Sequence, residues 1–305
     1  MSVSLRDILY GFAAPKERTL KNRILGFVTL QKPAVTAMGV PFALAGAVLA
    51  ERQLGITWRL IISQKLMSFI LGLLAVWLLI SATLTINSII DVERDKKKYT
   101  MRPIATGLIK RWEATVYALV MAVVALIITY LTFNWAAAAI GFLALVLGTV
   151  YAAYTRDKIG YLTMVFIPAL MPIGGWAAIS IGTLLTPLPW LLFLCLIFHQ
   201  TAHGIAAQAH YPYVKAFFVR PRPNIEAMMY RLCFVIEPFI VLLMYYYVTI
   251  NLLFLVIVLF LTIYGLHSAS YLKEPRTFEK GAKARVAIGN YGIIFFLSLS
   301  ILAGI

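Results

Sequence analysis

Three oxygen-bearing side chains recur every four residues in the segment Asn87-Ser-Ile-Ile-Asp91-Val-Glu-Arg-Asp95. On a helix, Asn87, Asp91 and Asp95 stack along one face, which we call the ligand ridge. Its two carboxylates repel each other unless a cation lies between them, and Mg²⁺ prefers oxygen ligands. The spacing therefore predicts a magnesium site, with Glu93 pointing away from the ridge into solvent. The alternative interpretation is a solvated, charged helix end.

A strongly basic stretch follows the ligand ridge. Lys96, Lys97 and Lys98 come directly after Asp95, and the sequence Arg102-Pro-Ile-Ala-Thr-Gly107 comes next. Guanidinium and ammonium groups make charge-assisted hydrogen bonds to phosphate oxygens. Carboxylates that hold a metal, followed by cations that reach phosphate, suit a reaction with a diphosphate leaving group, because both neutralise the charge that this group gains.

The elements that position these residues are predicted to be membrane-spanning helices. Of the 305 residues, 62% are hydrophobic and 13% are charged, whereas a soluble domain carries about 25% charged residues. A spanning helix needs ~20 mostly apolar residues. We predict an all-α bundle of about nine spans, at residues 34–50, 66–90, 115–133, 135–153, 161–182, 188–209, 231–249, 251–269 and 286–304.

Charge placement predicts the orientation of this bundle. All but three of the 27 Lys and Arg residues fall on one side of it, and the exceptions are Arg52, Arg59 and Lys65. The positive-inside rule then places the N-terminus in the cytoplasm and the C-terminus outside. The net charge of +15 reflects basic loops near anionic lipid, so we expect no nucleic-acid partner. Residues 1–32 are rich in basic residues. We interpret them as a retained segment that lies at the membrane interface.

Polar side chains also interrupt or flank the later spans. His199 and His203 are spaced i, i+4, which fits either a transition-metal pair or a hydrogen-bonded pair in the bundle interior. Cys195 and Cys233 form no CxxC motif and are expected to pack as small apolar residues. Glu237 is the one carboxylate well inside a span. It could pair with Arg231, pair across the bundle, or be protonated.

The motif Asn87-x3-Asp91-x3-Asp95, followed by Arg102-Pro103 and Gly107, resembles the first aspartate-rich motif of the UbiA superfamily of intramembrane prenyltransferases. The nine spans, the segment Gln31-Lys32-Pro33, the pair Gly174-Gly175 and the loop Tyr151–Lys158 also resemble that family. The resemblance covers essentially the whole chain. It implies a single domain over residues 1–305, with nine helices around a central cavity.

The resemblance also implies a reaction and roles for particular residues. A prenyl diphosphate bound with Mg²⁺ ionises to an allylic carbocation, which a lipophilic acceptor captures; acceptors in the family include quinone precursors, porphyrin derivatives and glycerol-phosphate lipids. Asn87, Asp91 and Asp95 would bind metal and diphosphate, and Tyr154 would lie near the carbocation. The remaining candidates for diphosphate binding are Arg102, Lys158, His203 and Lys215.

The second aspartate-rich motif of the family has no counterpart here. The segment from His199 to Lys215 contains no carboxylate, and Tyr211 and Lys215 stand where aspartates are expected. A lysine cannot bind a metal, but its charge can contact the diphosphate. We therefore expect one Mg²⁺ on Asp91 and Asp95, with Lys215 in place of a second. The alternative is a catalytically altered or inactive relative that acts as a lipid- or partner-binding subunit.

Overall fold

The computed structural model describes residues 3–15, 17–98, 101–155, 162–210, 222–273 and 277–305. Over these residues the chain is helical and contains no β-strand. The helices are α1 (Leu5–Leu9), α2 (Leu20–Gln31), α3 (Pro33–Gln53), α4 (Trp58–Gln64), α5 (Leu66–Ile90), α6 (Val92–Lys98), α7 (Arg111–Thr132), α8 (Trp135–Val150), α9 (Leu162–Ile179), α10 (Pro187–His210), α11 (Pro223–Tyr247), α12 (Leu252–Ser268) and α13 (Phe278–Ala303). A π-helical turn, Tyr151–Thr155, follows α8, and a 3₁₀ turn, Ala269–Leu272, follows α12.

Eight segments within the described ranges are long and apolar enough to cross a membrane. They are α2 together with α3, and α5, α7, α8, α10, α11, α12 and α13. The remaining predicted span corresponds to α9, whose apolar part, Met164–Ile179, is shorter. The prediction of an all-α integral membrane bundle with about nine spans is confirmed. Helices α11 and α13 begin at Pro223 and Phe278, well before the predicted 231 and 286, because their polar first turns extend beyond the apolar stretch.

The chain divides into two compact units. Unit 1 contains Met1–Val40 and Met67–Ala153, and unit 2 contains Pro41–Leu66 and Tyr154–Ile305. The ligand ridge and Arg102 lie in unit 1. Tyr154 and His203 lie in unit 2, while Lys158 and Lys215 lie outside the described residues. The predicted single domain and central cavity stay predictions.

In unit 1, the basic N-terminal segment is attached to the chain that follows the ligand ridge. The backbone N–H of Ala14 donates to the carbonyl of Met101 over 2.9 Å. Arg18 donates to the carbonyl of Gly107 over 2.7 Å, and Arg23 forms a 2.7 Å ion pair with Glu113. The segment predicted as interfacial thus contributes structural contacts to residues 101–113, and two of its cations are engaged with the protein itself.

Helix α2 has a capped N-terminus and a defined C-terminus. The Thr19 side chain accepts a hydrogen bond from the backbone N–H of Asn22 and caps the N-terminus, which satisfies one otherwise unpaired backbone donor. Lys32 adopts a left-handed conformation with φ of 50° at the C-terminus. Pro33 then begins α3, where its fixed φ suits a first helical residue. The Lys32-Pro33 pair therefore separates α2 from α3.

In unit 2, α10 is the central helix and packs against α9, α11 and α13. The core contains several fully buried aromatic side chains, namely Trp176, Tyr230, Phe234, Phe254, Tyr291, Phe295 and Phe296. Backbones approach each other closely at two glycines. A Cβ atom at Gly46 would lie 2.0 Å from the carbonyl oxygen of Pro172, and one at Gly175 would lie 2.0 Å from that of Ala43. Small residues at helix interfaces permit such packing in membranes.

A salt bridge in unit 2 joins the end of α3 to the chain after α4. Lys65 donates to both carboxylate oxygens of Glu51, at 2.9 and 3.1 Å. The Glu51 side chain is buried, and that of Lys65 is half-exposed. We expect Lys65→Met to lower the free energy of unfolding by about 2 kcal/mol, because it leaves a buried carboxylate unpaired. Equilibrium unfolding in mixed detergent micelles measures this change.

The matched control removes both partners of that pair. The double variant Lys65→Met with Glu51→Leu leaves no buried charge and is expected to recover most of the lost stability. A single variant as stable as the wild-type protein would show that the ion pair contributes nothing.

Candidate metal and diphosphate site

The ligand ridge forms as the spacing predicts. Asn87 lies in the last turn of α5, Asp91 lies at the junction, and Asp95 lies in α6. The backbone N–H of Asp91 donates to the carbonyl of Asn87 over 3.0 Å, and that of Asp95 donates to the carbonyl of Asp91 over 2.8 Å. Helical i, i+4 geometry thus continues through the junction and keeps the three side chains on one face.

Asp95 is the deepest residue of the ridge and has a cationic partner. It is only 3% exposed. The Nη1 atom of Arg102 donates to its two carboxylate oxygens at 2.7 and 2.9 Å. Burial raises the pKa of Asp95, while the charges of Arg102 and Lys32 act in the opposite direction. Arg102 was predicted as a diphosphate ligand; here it neutralises a ridge carboxylate.

Asp91 and Glu93 differ as the sequence predicts. The side chain of Asp91 is 13% exposed and lies 3.8 Å from Arg94, a long contact for an ion pair. The Glu93 side chain is 80% exposed and forms a 2.8 Å ion pair with Lys96. Glu93 therefore points into solvent, whereas Asp91 lies on the ridge between Asn87 and Asp95.

Asn87 provides the observation that bears on metal binding. Its Oδ1 atom is buried and has no hydrogen-bond partner. A buried, unpaired acceptor costs about 1–3 kcal/mol, and it lies one helical turn from Asp91. An amide oxygen and two carboxylates suit Mg²⁺, which commonly takes one or two carboxylates and completes its shell with phosphate and water. The described residues contain no group of three His, Cys, Asp or Glu side chains that could hold a metal.

The segment after α6 positions Arg102 through a compact turn. The backbone N–H of Thr106 donates to the carbonyl of Arg102 over 2.9 Å, and Gly107 has φ of +74°. Glycine adopts that conformation without the strain that other residues incur. The buried side chains of Ile104, Leu108 and Ile109 anchor the turn against Leu30 and Ala14. These contacts hold the Arg102 guanidinium at Asp95.

Two other predicted site residues belong to unit 2. Tyr154 belongs to the π-helical turn after α8, in unit 2, and is 68% exposed. His203 lies in α10 of unit 2. Their roles stay predictions, as do those of Lys158 and Lys215. Sequence reasoning missed Lys32 as a cation acting on Asp95; its position beside Pro33 was noted, but not its neighbours.

Residues 39–299 match the family model of the UbiA prenyltransferases. The chain belongs to the UbiA prenyltransferase family. The match covers most of the 305 residues and includes the ligand ridge and Arg102. The resemblance of the Asn87–Gly107 motif to this family is thereby confirmed.

Curated relatives within this family carry a specific name. The chain is 30% identical to the protoheme IX farnesyltransferase of Stenotrophomonas maltophilia over 156 residues, which cover 50% of each protein. It is 29% identical to that of Hyphomonas neptunium over 196 residues, which cover 62% of this chain and 59% of the relative. The chain thus spans about half to three fifths of the length of these relatives.

Solved structures agree on the fold. A structure of digeranylgeranylglyceryl phosphate synthase matches with a TM-score of 0.67 at 16% identity, over 92% of this chain and 99% of the other. A UbiA homolog from Archaeoglobus fulgidus, bound to GPP and Mg²⁺, matches with a TM-score of 0.64 at 20% identity, over 90% of this chain and 99% of the other. At these identities the likeness shows that the chain has the UbiA fold.

Proposed function

We propose that the chain is a Mg²⁺-dependent intramembrane prenyltransferase that moves a prenyl group from its diphosphate to a lipophilic acceptor. The unpaired oxygen of Asn87, beside Asp91 and Asp95, is the observation that carries this proposal. Membership of the family supports it. So does the Archaeoglobus fulgidus relative of the same fold, which binds GPP and Mg²⁺.

In this proposal, each candidate residue has a separate role in binding or catalysis. Asn87, Asp91 and Asp95 hold the metal, which when bound supplies positive charge to the departing diphosphate. Lys158, His203 and Lys215 bind the diphosphate oxygens, and Lys215 replaces a second metal. Tyr154 presents its aromatic face to the allylic carbocation. Neutralising the leaving group in this way lowers the barrier to ionisation.

Arg102 has two partners in this proposal. In the structure it binds Asp95 through two hydrogen bonds. Asp95 would have its charge balanced by a bound metal, which would leave Arg102 able to contact the diphosphate. Because guanidinium groups bind carboxylates and phosphates with the same fork geometry, this exchange needs no new kind of interaction.

Protoheme IX comes first among the acceptors to be tested, because the curated relatives are protoheme IX farnesyltransferases. Quinone precursors and glycerol-phosphate lipids follow. The positive-inside rule places the ligand ridge and the N-terminus on the cytoplasmic side and the C-terminus outside. The prenyl diphosphate and acceptor then enter from the inner leaflet and the bilayer core.

A second candidate function is favoured by one observation. The segment from His199 to Lys215 has no carboxylate where the family's second motif supplies metal ligands. A chain without those ligands could retain the fold and bind a lipid or a partner protein without catalysis.

One assay separates these two functions. Purified protein in nanodiscs is incubated with radiolabelled farnesyl or geranylgeranyl diphosphate, with Mg²⁺ or EDTA, and with each acceptor in turn. We expect a prenylated product that forms with Mg²⁺ and is lost with EDTA. Release of diphosphate without any product supports the enzyme and indicates that the acceptor is missing from the panel. No release under any condition would favour the non-catalytic function.

A further inference from the structure

A second polar cluster lies inside unit 2, on helices that do not carry the ligand ridge. It comprises His199 on α10, Glu237 on α11 and Tyr291 on α13, and we call it the mid-membrane cluster. The three residues are 3%, 1% and 0% exposed. Counted along their helices from the apolar boundaries predicted at residues 209, 231 and 286, they lie roughly 8–15 Å inside at 1.5 Å per residue. A bilayer core is about 30 Å thick, so all three lie within it.

The polar atoms of this cluster lack ordinary partners. The Nδ1 atom of His199, the Oε1 atom of Glu237 and the hydroxyl of Tyr291 are buried without a hydrogen bond of normal geometry. The Glu237 carboxyl and the Tyr291 hydroxyl nevertheless lie close to each other. The rings of His199 and Tyr291 are stacked, with centroids 6.0 Å apart. Ionisable residues at this depth are costly and commonly functional.

The surroundings hold the His199 imidazole in one place. A Cβ atom at position 292 would lie 2.5 Å from both Cε1 and Nε2 of His199, so Gly292 provides the space that the ring occupies. Phe42 and Phe296 border the ring at centroid distances of 6.0 and 6.2 Å. The ring therefore fits a cradle made by α3 and α13.

Polar groups continue from the cluster toward one end of α10 and α13. His203 lies one helical turn after His199, and the charges of His199 and Arg285 both act on it. Arg285 lies in α13 between its start and Tyr291. Counted from the ends of their helices, Glu237, Tyr291, His199 and His203 lie successively nearer to the ends of α11, α13 and α10 that the charge pattern places in the cytoplasm.

The other titratable groups that face Glu237 do not extend this path. Cys195 on α10 and Cys233 and Tyr230 on α11 interact with it. The Tyr230 hydroxyl is already hydrogen-bonded to Ser268 at 2.9 Å. Within the part of the chain that the structure describes, no three metal-ligating side chains converge. Buried Glu and His side chains inside a helical bundle commonly carry protons, so a proton is the species that this cluster suits.

We propose that the mid-membrane cluster is a proton relay, in which Glu237 exchanges a proton with the cytoplasmic end of α10 through Tyr291, His199 and His203. Each step moves one proton and no electrons: an imidazole accepts at one nitrogen and releases from the other, and the phenol donates as it accepts. Its use in catalysis rests on the proposed function. Prenyl transfer to a C–H or O–H acceptor frees one proton, and the relay removes that proton from the membrane interior.

Hydrogen–deuterium exchange of the Glu237 carboxyl tests the relay without any substrate. Infrared spectra of the resting protein in nanodiscs are recorded after transfer to D₂O at neutral pH. The carboxylic acid band of Glu237 is identified by its loss in Glu237→Gln. We expect this band to shift in wild-type protein, and to shift at least tenfold more slowly in His199→Phe, which retains a flat ring and removes both nitrogens.

Two further variants control the experiment. Gly292→Ala displaces the His199 ring without changing it and is expected to slow exchange as well, so the test survives if His199→Phe does not fold. His267→Phe removes an exposed imidazole on α12 and is expected to exchange at the wild-type rate. The relay is contradicted if wild-type Glu237 shows no exchangeable carboxylic acid band, or if folded His199→Phe and Gly292→Ala both exchange at the wild-type rate. Because no prenyl diphosphate is present, failure of prenyl transfer leaves this result unaffected.

Discussion

The Asp91→Asn variant is expected to lower kcat/KM for prenyl transfer by roughly 10³-fold, because it removes one negative charge from the metal site while preserving side-chain shape. Asp91 is the best ridge residue to change. Its ionic contact with Arg94 is long, at 3.8 Å. Asp95, in contrast, binds Arg102 at 2.7 Å, so its removal would also leave a half-buried cation uncompensated. The measurement is initial rate against prenyl diphosphate concentration at saturating Mg²⁺.

Glu93→Gln is the matched control for this variant. It makes the same change of charge two residues away, on a side chain that is 80% exposed and paired with Lys96. We expect its kcat/KM to remain within about twofold of the wild-type value, since an exposed, solvent-screened charge has little effect at a distance. Equal losses in both variants would mean that general charge at this surface, and not the ridge, determines the rate.

Gly175→Ala is expected to lower the free energy of unfolding by about 3 kcal/mol, the upper range for overpacking. The added Cβ atom would lie 2.0 Å from the carbonyl oxygen of Ala43, and a backbone carbonyl cannot move aside as a flexible side chain can. Helices α3 and α9 would have to separate. Equilibrium unfolding in mixed micelles, together with the yield of monodisperse protein, measures the loss.

Gly289→Ala is the control for this substitution. Gly289 lies within α13, and a Cβ atom there would meet nothing within 4 Å. Alanine in a helix is more favourable than glycine by about 1 kcal/mol, so this variant is expected to be as stable as the wild-type protein or slightly more stable. Wild-type stability in Gly175→Ala would show that α3 and α9 are not in close contact.

The local spacing of three polar residues was sufficient to predict the ligand ridge. The i, i+4, i+8 spacing of Asn87, Asp91 and Asp95 fixes one helix face wherever the chain is helical, and the structure keeps that geometry across the junction of α5 and α6. The spans were predictable for a similar reason, since the length of an apolar stretch is a property of the sequence alone.

Partners that come from distant parts of the chain could not be predicted. The pairing of Arg102 with Asp95 depends on a turn that Leu30 and Ala14 hold from the N-terminal segment. The sequence placed Glu237 well inside a span and left three alternatives open: a pair with Arg231, a pair across the bundle, or protonation. The structure places it near Tyr291, on a helix more than fifty residues later in the chain. Helix pairing of this kind follows from side-chain packing, which no single periodicity encodes.

Binding of Mn²⁺ in place of Mg²⁺ tests the central claim most directly, because a paramagnetic metal reports the nuclei that surround it. Wild-type protein in nanodiscs is mixed with Mn²⁺ and a non-hydrolysable prenyl diphosphate analogue, and the coupling between the metal and ³¹P is recorded by electron–nuclear double resonance. We predict a ³¹P coupling in wild-type protein and in Glu93→Gln, and its loss in Asp91→Asn. A coupling of unchanged strength in Asp91→Asn would place the metal–diphosphate pair away from the ligand ridge and contradict the account.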